Sequence, residues 1–317
     1  MADLLSEPYV PVRREPVVPL HLSGRSGRRW RERTAESLLF VAAASSVLIA
    51  AGIVSVLVYE ASSFFEHVSI VEFLTHTQWT PLFADAQYGV LPLVCGTLVT
   101  TAVAVLLAAP VGLISAVWLS EYASVRVRET VKPALELLSA VPTVVFGYFA
   151  LLFVTPLLQK VWPELPGFNM LSAGLVIGIM VVPYVASLSE DAMRAVPMGV
   201  REASYALGAT RFQTAWRVVL PAALSGVLAA GILAVSRVVG ETMIVAIAAG
   251  MQPNLTLDPT KPAATMTAYI VQVSLGDLPH DSIGYQSIFA VGLLLMLMTL
   301  VLNVLGHWIQ RRYRESY

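Results

Sequence analysis

Arg201-Glu202-Ala203-Ser204-Tyr205-Ala206-Leu207-Gly208-Ala209, followed after ten residues by Leu220-Pro221 and then by an apolar run over 222–250, decides how this chain is read. Pro197 can open a helix ahead of it, because the missing N–H would lack a partner there anyway. Gly208 can close the helix in the left-handed conformation past the last turn, which leaves about ten residues between them. On that short helix Ala203, Ala206 and Leu207 share a face, with Glu202 and Tyr205 beside them, so small side chains let a partner surface come close. A helix lying on the membrane surface is the other reading, and the apolar face is weak for it.

Outward from this loop the chain is apolar. Hydrophobic residues make up 56% of it and charged residues 13%, and the mean hydropathy is +0.72. That is too little polar residue to cover a soluble globule, so the composition is that of a polytopic membrane protein. A net charge of −1 gives no argument for nucleic acid. The one cysteine, Cys95, excludes a disulfide framework and a cysteine metal site.

Six spans are expected, at 38–59, 91–119, 133–158, 171–188, 222–250 and 284–306. Residues 1–37 carry seven arginines, five acids and several prolines, and are expected to be a disordered basic tail. The apolar run over 38–59 suits a spanning helix better than the shorter core of a cleavable signal. Of the 20 Lys and Arg, 17 fall in the 1–37 tail, the 120–132 and 190–220 loops and the 307–317 tail. The positive-inside bias therefore puts both termini and the 190–220 loop in the cytoplasm. Residues 38–90 are a first span with an external loop, and 91–306 form the core domain. Pro110, Pro142 and Pro183 fall in or near spans two to four and are expected to kink them.

The 201–221 stretch resembles the EAA loop of ABC importer permeases, Glu-Ala-Ala, three residues, Gly, then a hydrophobic-Leu-Pro exit, with Ser204 in place of the second alanine. Trp79-Thr80-Pro81, Tyr88-Gly89-Val90-Leu91-Pro92-Leu93, Trp118-Leu119-Ser120-Glu121-Tyr122-Ala123, Lys132-Pro133-Ala134-Leu135-Glu136-Leu137-Leu138 and Ala140-Val141-Pro142-Thr143 through Tyr148 are similar to phosphate-specific permeases of the PstC type. The resemblance covers most of the chain from about Gln78 to Gly306. It implies an all-α, six-helix, MetI-like type I importer permease in the inner membrane that passes inorganic phosphate inward by alternating access. It also implies a coupling role for Glu202, Ala203, Tyr205, Gly208 and Ala209 against a homodimeric ATPase of the PstB type, where ATP and Mg are bound. A second permease of the PstA type and an extracytoplasmic phosphate-binding protein of the PstS type complete the implied set, within membrane lipid.

The chemistry of the membrane interior gathers in Ser236-Arg237-Val238-Val239-Gly240-Glu241-Thr242. An arginine at mid-membrane costs roughly 3 kcal/mol on insertion scales, so Arg237 needs a strong reason to be there. On a continuous helix Glu241 at i+4 would point the same way and pair with it. The guanidinium suits phosphate oxygens, Gly240 allows close approach, and Ser236 and Thr242 can add hydroxyl donors. Glu241 would keep a dianion from settling too stably. A purely structural ion pair is the other reading, although the resembling Arg and Glu in phosphate permeases are functional.

No energy source is encoded. The chain has no phosphate-binding Gly-Lys-Ser/Thr loop, and its histidines, at 21, 67, 76, 280 and 307, lack metal-ligand spacing. The chain reads as a conduit rather than an enzyme. The outer stretches over 60–90 and 251–283, rich in aromatics and prolines, are expected to meet the binding protein or to cap the bundle. A permease for molybdate or sulfate is the nearest alternative, and an ion-coupled secondary transporter is the alternative from another class.

Overall fold

The computed structural model describes residues 26–312 except Ala84, Asp277 and His280. The disorder expected of residues 1–25 and the end of the 307–317 tail lie outside that range. The chain divides into two units, Met1–Val54 and Ser55–Tyr317.

In the first unit, helix α1 (Ser26–His67) begins well before residue 38. The expected disorder of 26–37 is thereby corrected. Arginine and glutamate are good helix formers, and this stretch of the tail lacks the prolines found before it. Beyond it Leu38, Phe40, Val47 and Ile49 are all more than 60% exposed. An apolar helix with that much bare surface belongs in lipid.

In the second unit, α1 finishes at His67 and is followed by the short α2 (Ile70–Thr75) and then α3 (Leu91–Val117). A π-turn, Trp118–Tyr122, closes α3. Next come α4 (Val125–Ser139), α5 (Thr143–Phe149), a π-turn and α6 (Thr155–Val161). The long α7 (Met170–Arg194) leads to α8 (Met198–Ala206), α9 (Arg211–Thr214) and α10 (Leu220–Ala222). Then follow α11 (Leu224–Val239), α12 (Met243–Ala248), α13 (Met266–Ser274) and α14 (Ile283–Arg312). The fold is all-α: among the described residues the extended pairing is an isolated bridge between Trp79 and Tyr88. Five helical stretches are long and apolar enough to cross a membrane, and a sixth is obtained if 211–222 and 224–239, bent by 72°, are one span.

Two expected spans are redrawn. The third does not run over 133–158 but over Thr143–Val161. Pro142 disfavours helix at the preceding residue and lacks an N–H, so the chain breaks there and Pro142 caps α5. The residues from Lys132 to Ser139 belong instead to α4, a separate helix with Arg126, Arg128 and Lys132 along it. The fifth span is interrupted as well: α11 ends at Val239 with Gly240 as its cap, and α12 resumes at Met243. Pro110 and Pro183 sit inside continuous helices.

The interior of this unit is a seam between α3 and α7. Ala104, Ala108, Ala173, Val176, Ile177 and Val181 are fully buried along it. At Gly174 a Cβ would lie 2.7 Å from Val103 Cβ, and at Gly178 it would lie 2.9 Å from the Ala104 carbonyl. Without hydrophobic drive between helices in lipid, small residues that admit a neighbouring backbone are what bring them together. One end of the seam meets an aromatic cluster of Phe64, Phe73, Trp79, Tyr88 and Tyr269. The other meets Ala116, Val117, Met193, Val196, Ala215 and Val219 beneath α8.

Candidate functional site

Pro197 caps α8 in an extended conformation, and Gly208 ends the helix with φ of 81°. Only glycine takes that conformation without steric penalty. The Gly208 N–H donates to the Tyr205 carbonyl at 2.9 Å and the Ala209 N–H to the Ser204 carbonyl at 3.2 Å, so the final carbonyls are satisfied before the chain turns. Glu202, Ala203, Tyr205, Ala206 and Leu207 are all exposed, and Ala209 is half-exposed. The predicted face is therefore open along the whole helix.

The opposite face holds what sequence reasoning missed. Arg201 has a side chain only 10% exposed; its Nη2 lies 3.1 Å from Glu121 Oε1 and donates to the Met193 carbonyl at 2.8 Å. Its Nη1 donates to the Val196 carbonyl. One guanidinium thus ties α8 to the π-turn after α3 and to the end of α7. Ser204 adds a hydroxyl contact of 2.9 Å with Thr214 on α9. A capping box, Thr210 with Gln213, starts α9 and fixes the exit from the loop. The partners are 80 positions apart in Arg201–Glu121, so no local pattern reveals them.

Beside this lies a second charged group. Glu190, with a side chain 1% exposed near the end of α7, accepts from Lys132 Nζ at 2.7 Å, and Lys132 also holds Asp191. Arg128 Nε and Arg194 Nη1 stand 3.9 and 3.8 Å from Glu190 Oε1. Burial lowers the pKa of the Lys132 ammonium, but its bonds to Asp191 and Glu190 outweigh that and hold it above the usual lysine range.

The third group is at the break in the fifth span. Because Gly240 ends α11, Arg237 and Glu241 do not lie on one helix, and the expected i+4 pair does not form: among the described residues no carboxylate is within 4.0 Å of Arg237. The guanidinium carbon lies 5.8 Å from the ring centroid of Tyr184 on α7, and Arg237 is exposed. Glu241 has other partners. Its Oε1 accepts the Ile244 N–H at 3.5 Å at the start of α12, and its carbonyl accepts from Thr267 Oγ1 at 2.7 Å. Ser236 Oγ donates to Asn303 on α14 at 3.0 Å and Thr242 Oγ1 to the Gly240 carbonyl at 3.1 Å. Gly240 is exposed, and a Cβ there would find no atom closer than 3.7 Å. The five residues predicted together are therefore gathered at one break, but as an exposed cation beside open backbone rather than as a closed ion pair. Tyr184, Asn303 and Thr267 were not legible as members.

Comparison with known proteins agrees with the architecture. Residues 108–315 match the model of the binding-protein-dependent transport system inner membrane component family. The chain is 32% identical over 279 residues to the probable ABC transporter permease protein YqgH of Bacillus subtilis, covering 88% of this chain and 89% of that one. It is 30% identical to the phosphate transport system permease protein PstC of Xylella fastidiosa, with 92% and 95% covered. With PstC 1 of Mycobacterium tuberculosis it shares 33% over 284 residues, 78% and 83% of the two chains. Among solved structures, a bacterial ABC transporter involved in the import of alginate superposes with a TM-score of 0.63 at 15% identity, covering 91% of this chain and all of that one. With five or six apolar spans, a short helix with one open face and this match over most of its length, the chain belongs to the inner membrane permease family of binding-protein-dependent ABC transport systems.

Proposed function

We propose that this permease carries inorganic phosphate inward across the cytoplasmic membrane, driven by ATP hydrolysis on a separate subunit. The observation that carries the reading is Arg237: a permanently charged guanidinium beside a helix break, with no carboxylate within ion-pair distance among the described residues. A cation of that kind within a membrane is tolerable only if an anion or a polar path meets it. Relatives of similar length are named phosphate transport permeases, which supports the choice of anion. Phosphate oxygens accept in pairs from a guanidinium, Gly240 leaves room for them, and Glu241 in the same break limits how long a dianion stays.

Both termini and α8 face the cytoplasm in this reading, with a homodimeric ATPase of the PstB type, holding ATP and Mg, against Glu202, Ala203, Tyr205, Gly208 and Ala209. A second permease of the PstA type supplies the other wall of the path, and a PstS-type binding protein delivers phosphate to the opposite side. The cavity of about 270 Å³ between Trp79, Phe83, Met251, Pro253 and Tyr269 suits that delivery end.

The test is radiolabelled phosphate uptake into vesicles holding the chain with these partners, with and without ATP. A charged hydrogen bond is worth about 1.5–3 kcal/mol, so Arg237→Gln should lower ATP-dependent uptake by about ten- to a hundredfold, with Arg237→Lys between the two. Uptake lost in Arg237→Lys but kept in Arg237→Gln would contradict the role given to the guanidinium, and uptake indifferent to ATP would remove the ATPase from the account.

A further inference from the structure

Under α8 lies a cleft of about 390 Å³ walled by four arginines on four elements: Arg128 of α4, Arg194 of α7, Arg201 of α8 and Arg211 of α9. One carboxylate, Glu121, shares the lining, and it is taken by Arg201 and by the Ser120 hydroxyl at 2.9 Å. The remaining acid within reach is Glu190, whose Oε2 is bonded to Lys132 and whose Oε1 has no hydrogen-bond partner. Asp191 is likewise held by Lys132. The three other guanidiniums make no hydrogen bond to protein among the described residues: Arg128 and Arg194 stand off Glu190 Oε1 at 3.9 and 3.8 Å, and Arg211 has no ion pair there. Three sets of donors therefore converge on one polar cavity with a surplus of positive charge.

We infer that this cleft is a binding site for a phosphate-bearing anion, separate from the Arg237 path. Guanidinium groups match phosphate oxygens in pairs, and convergence from several elements is what distinguishes a site from scattered surface charge. An anion seated there links α8 to α4, α7 and α9 at once, so its occupancy sets how firmly the coupling helix is held to the bundle. Either a free phosphate or the headgroup of an anionic lipid supplies the same chemistry. The inference goes beyond the transport reading and stands without it, because binding is measured on the chain itself.

The experiment is amide hydrogen exchange on the full-length chain in nanodiscs, at fixed pH and ionic strength. One arm titrates inorganic phosphate against potassium chloride in discs of phosphatidylcholine alone; the other compares those discs with discs containing phosphatidylglycerol. A ligand at ten times its dissociation constant that binds only the closed arrangement slows opening about tenfold. Exchange over 198–206 should slow by about that factor in one arm, and the arm identifies the source. In the Arg194→Gln, Arg211→Gln double variant the slowing should vanish while exchange inside α7 is unchanged. Should the double variant fail to fold, Arg211→Gln alone serves, since that side chain has no ion pair to lose. No slowing in either arm, slowing by chloride alone, or slowing that survives the variant overturns the inference; the first would leave the cleft as a contact for an acidic partner surface.

Discussion

Lys132 is the residue on which the charged end of α7 depends. Its ammonium bonds Oε2 of Glu190, whose side chain is 1% exposed, and reaches Asp191 as well. Removing one partner of a buried pair strands the other charge, and Arg128 and Arg194 are too far to bond Glu190 without moving. Lys132→Met should therefore destabilise the protein by on the order of 3 kcal/mol, read as a lower Tm in detergent. Because the ammonium pKa is raised, the ammonium's contribution is fully present at neutral pH and is lost as pH rises through the raised lysine range, so on the alkaline side the difference from wild type should narrow there. None of this was visible in the sequence, where Lys132 reads as one more positive-inside charge; the bond to Glu190 spans 58 positions.

At the scale of elements, α8 was the most legible part of the chain and α11 the least. Pro197, Gly208 and the small residues between them announce a short capped helix with one open face, and the helix found is nine residues long. What makes Gly208 indispensable is its φ of 81°. A side chain there costs about 1–2 kcal/mol, so Gly208→Val should fray the last turn, seen as faster amide exchange at Leu207 and Ala209 with α7 unaffected. By contrast, Arg237 and Glu241 promised an i+4 pair because helical spacing was assumed across Gly240. The assumption failed at a glycine that caps the helix, a choice of conformation that Val239 before it and Glu241 after it do not disclose. The third span was misplaced for a similar reason: a hydropathy reading slides through Lys132–Ser139, whereas the break is set by one proline, Pro142.

For the whole molecule, sequence alone was sufficient for class, because composition and a run of apolar segments leave few alternatives in a bilayer, and its six spans stand beside five or six in the structure. Which side is which follows from charge bias and is open to direct test. In a Cys95→Ser background, where the hydroxyl can still bond the Thr256 carbonyl now taken by the thiol, Gly199→Cys on α8 should react with a membrane-impermeant maleimide only in inside-out vesicles. Leu257→Cys, at a position 82% exposed in the opposite loop, should react only in right-side-out ones. The reverse pattern would invert the orientation and with it the direction of transport.

The seam between α3 and α7 has a mechanical meaning. Where Gly174 and Gly178 meet Val103 and Ala104 there is no slack for side chains to absorb a push. Helix α7 therefore behaves as a stiff connecting rod. At one end its carbonyl at Met193 is gripped by Arg201 of α8; about 14 Å back along its axis, at 1.5 Å per residue, Tyr184 lies beside Arg237. If α8 meets an ATPase as proposed, a displacement delivered at the Met193 end of α7 is passed along this packed helix to Tyr184 and Arg237, which would join a nucleotide-driven stroke on one side of the membrane to a charge inside it.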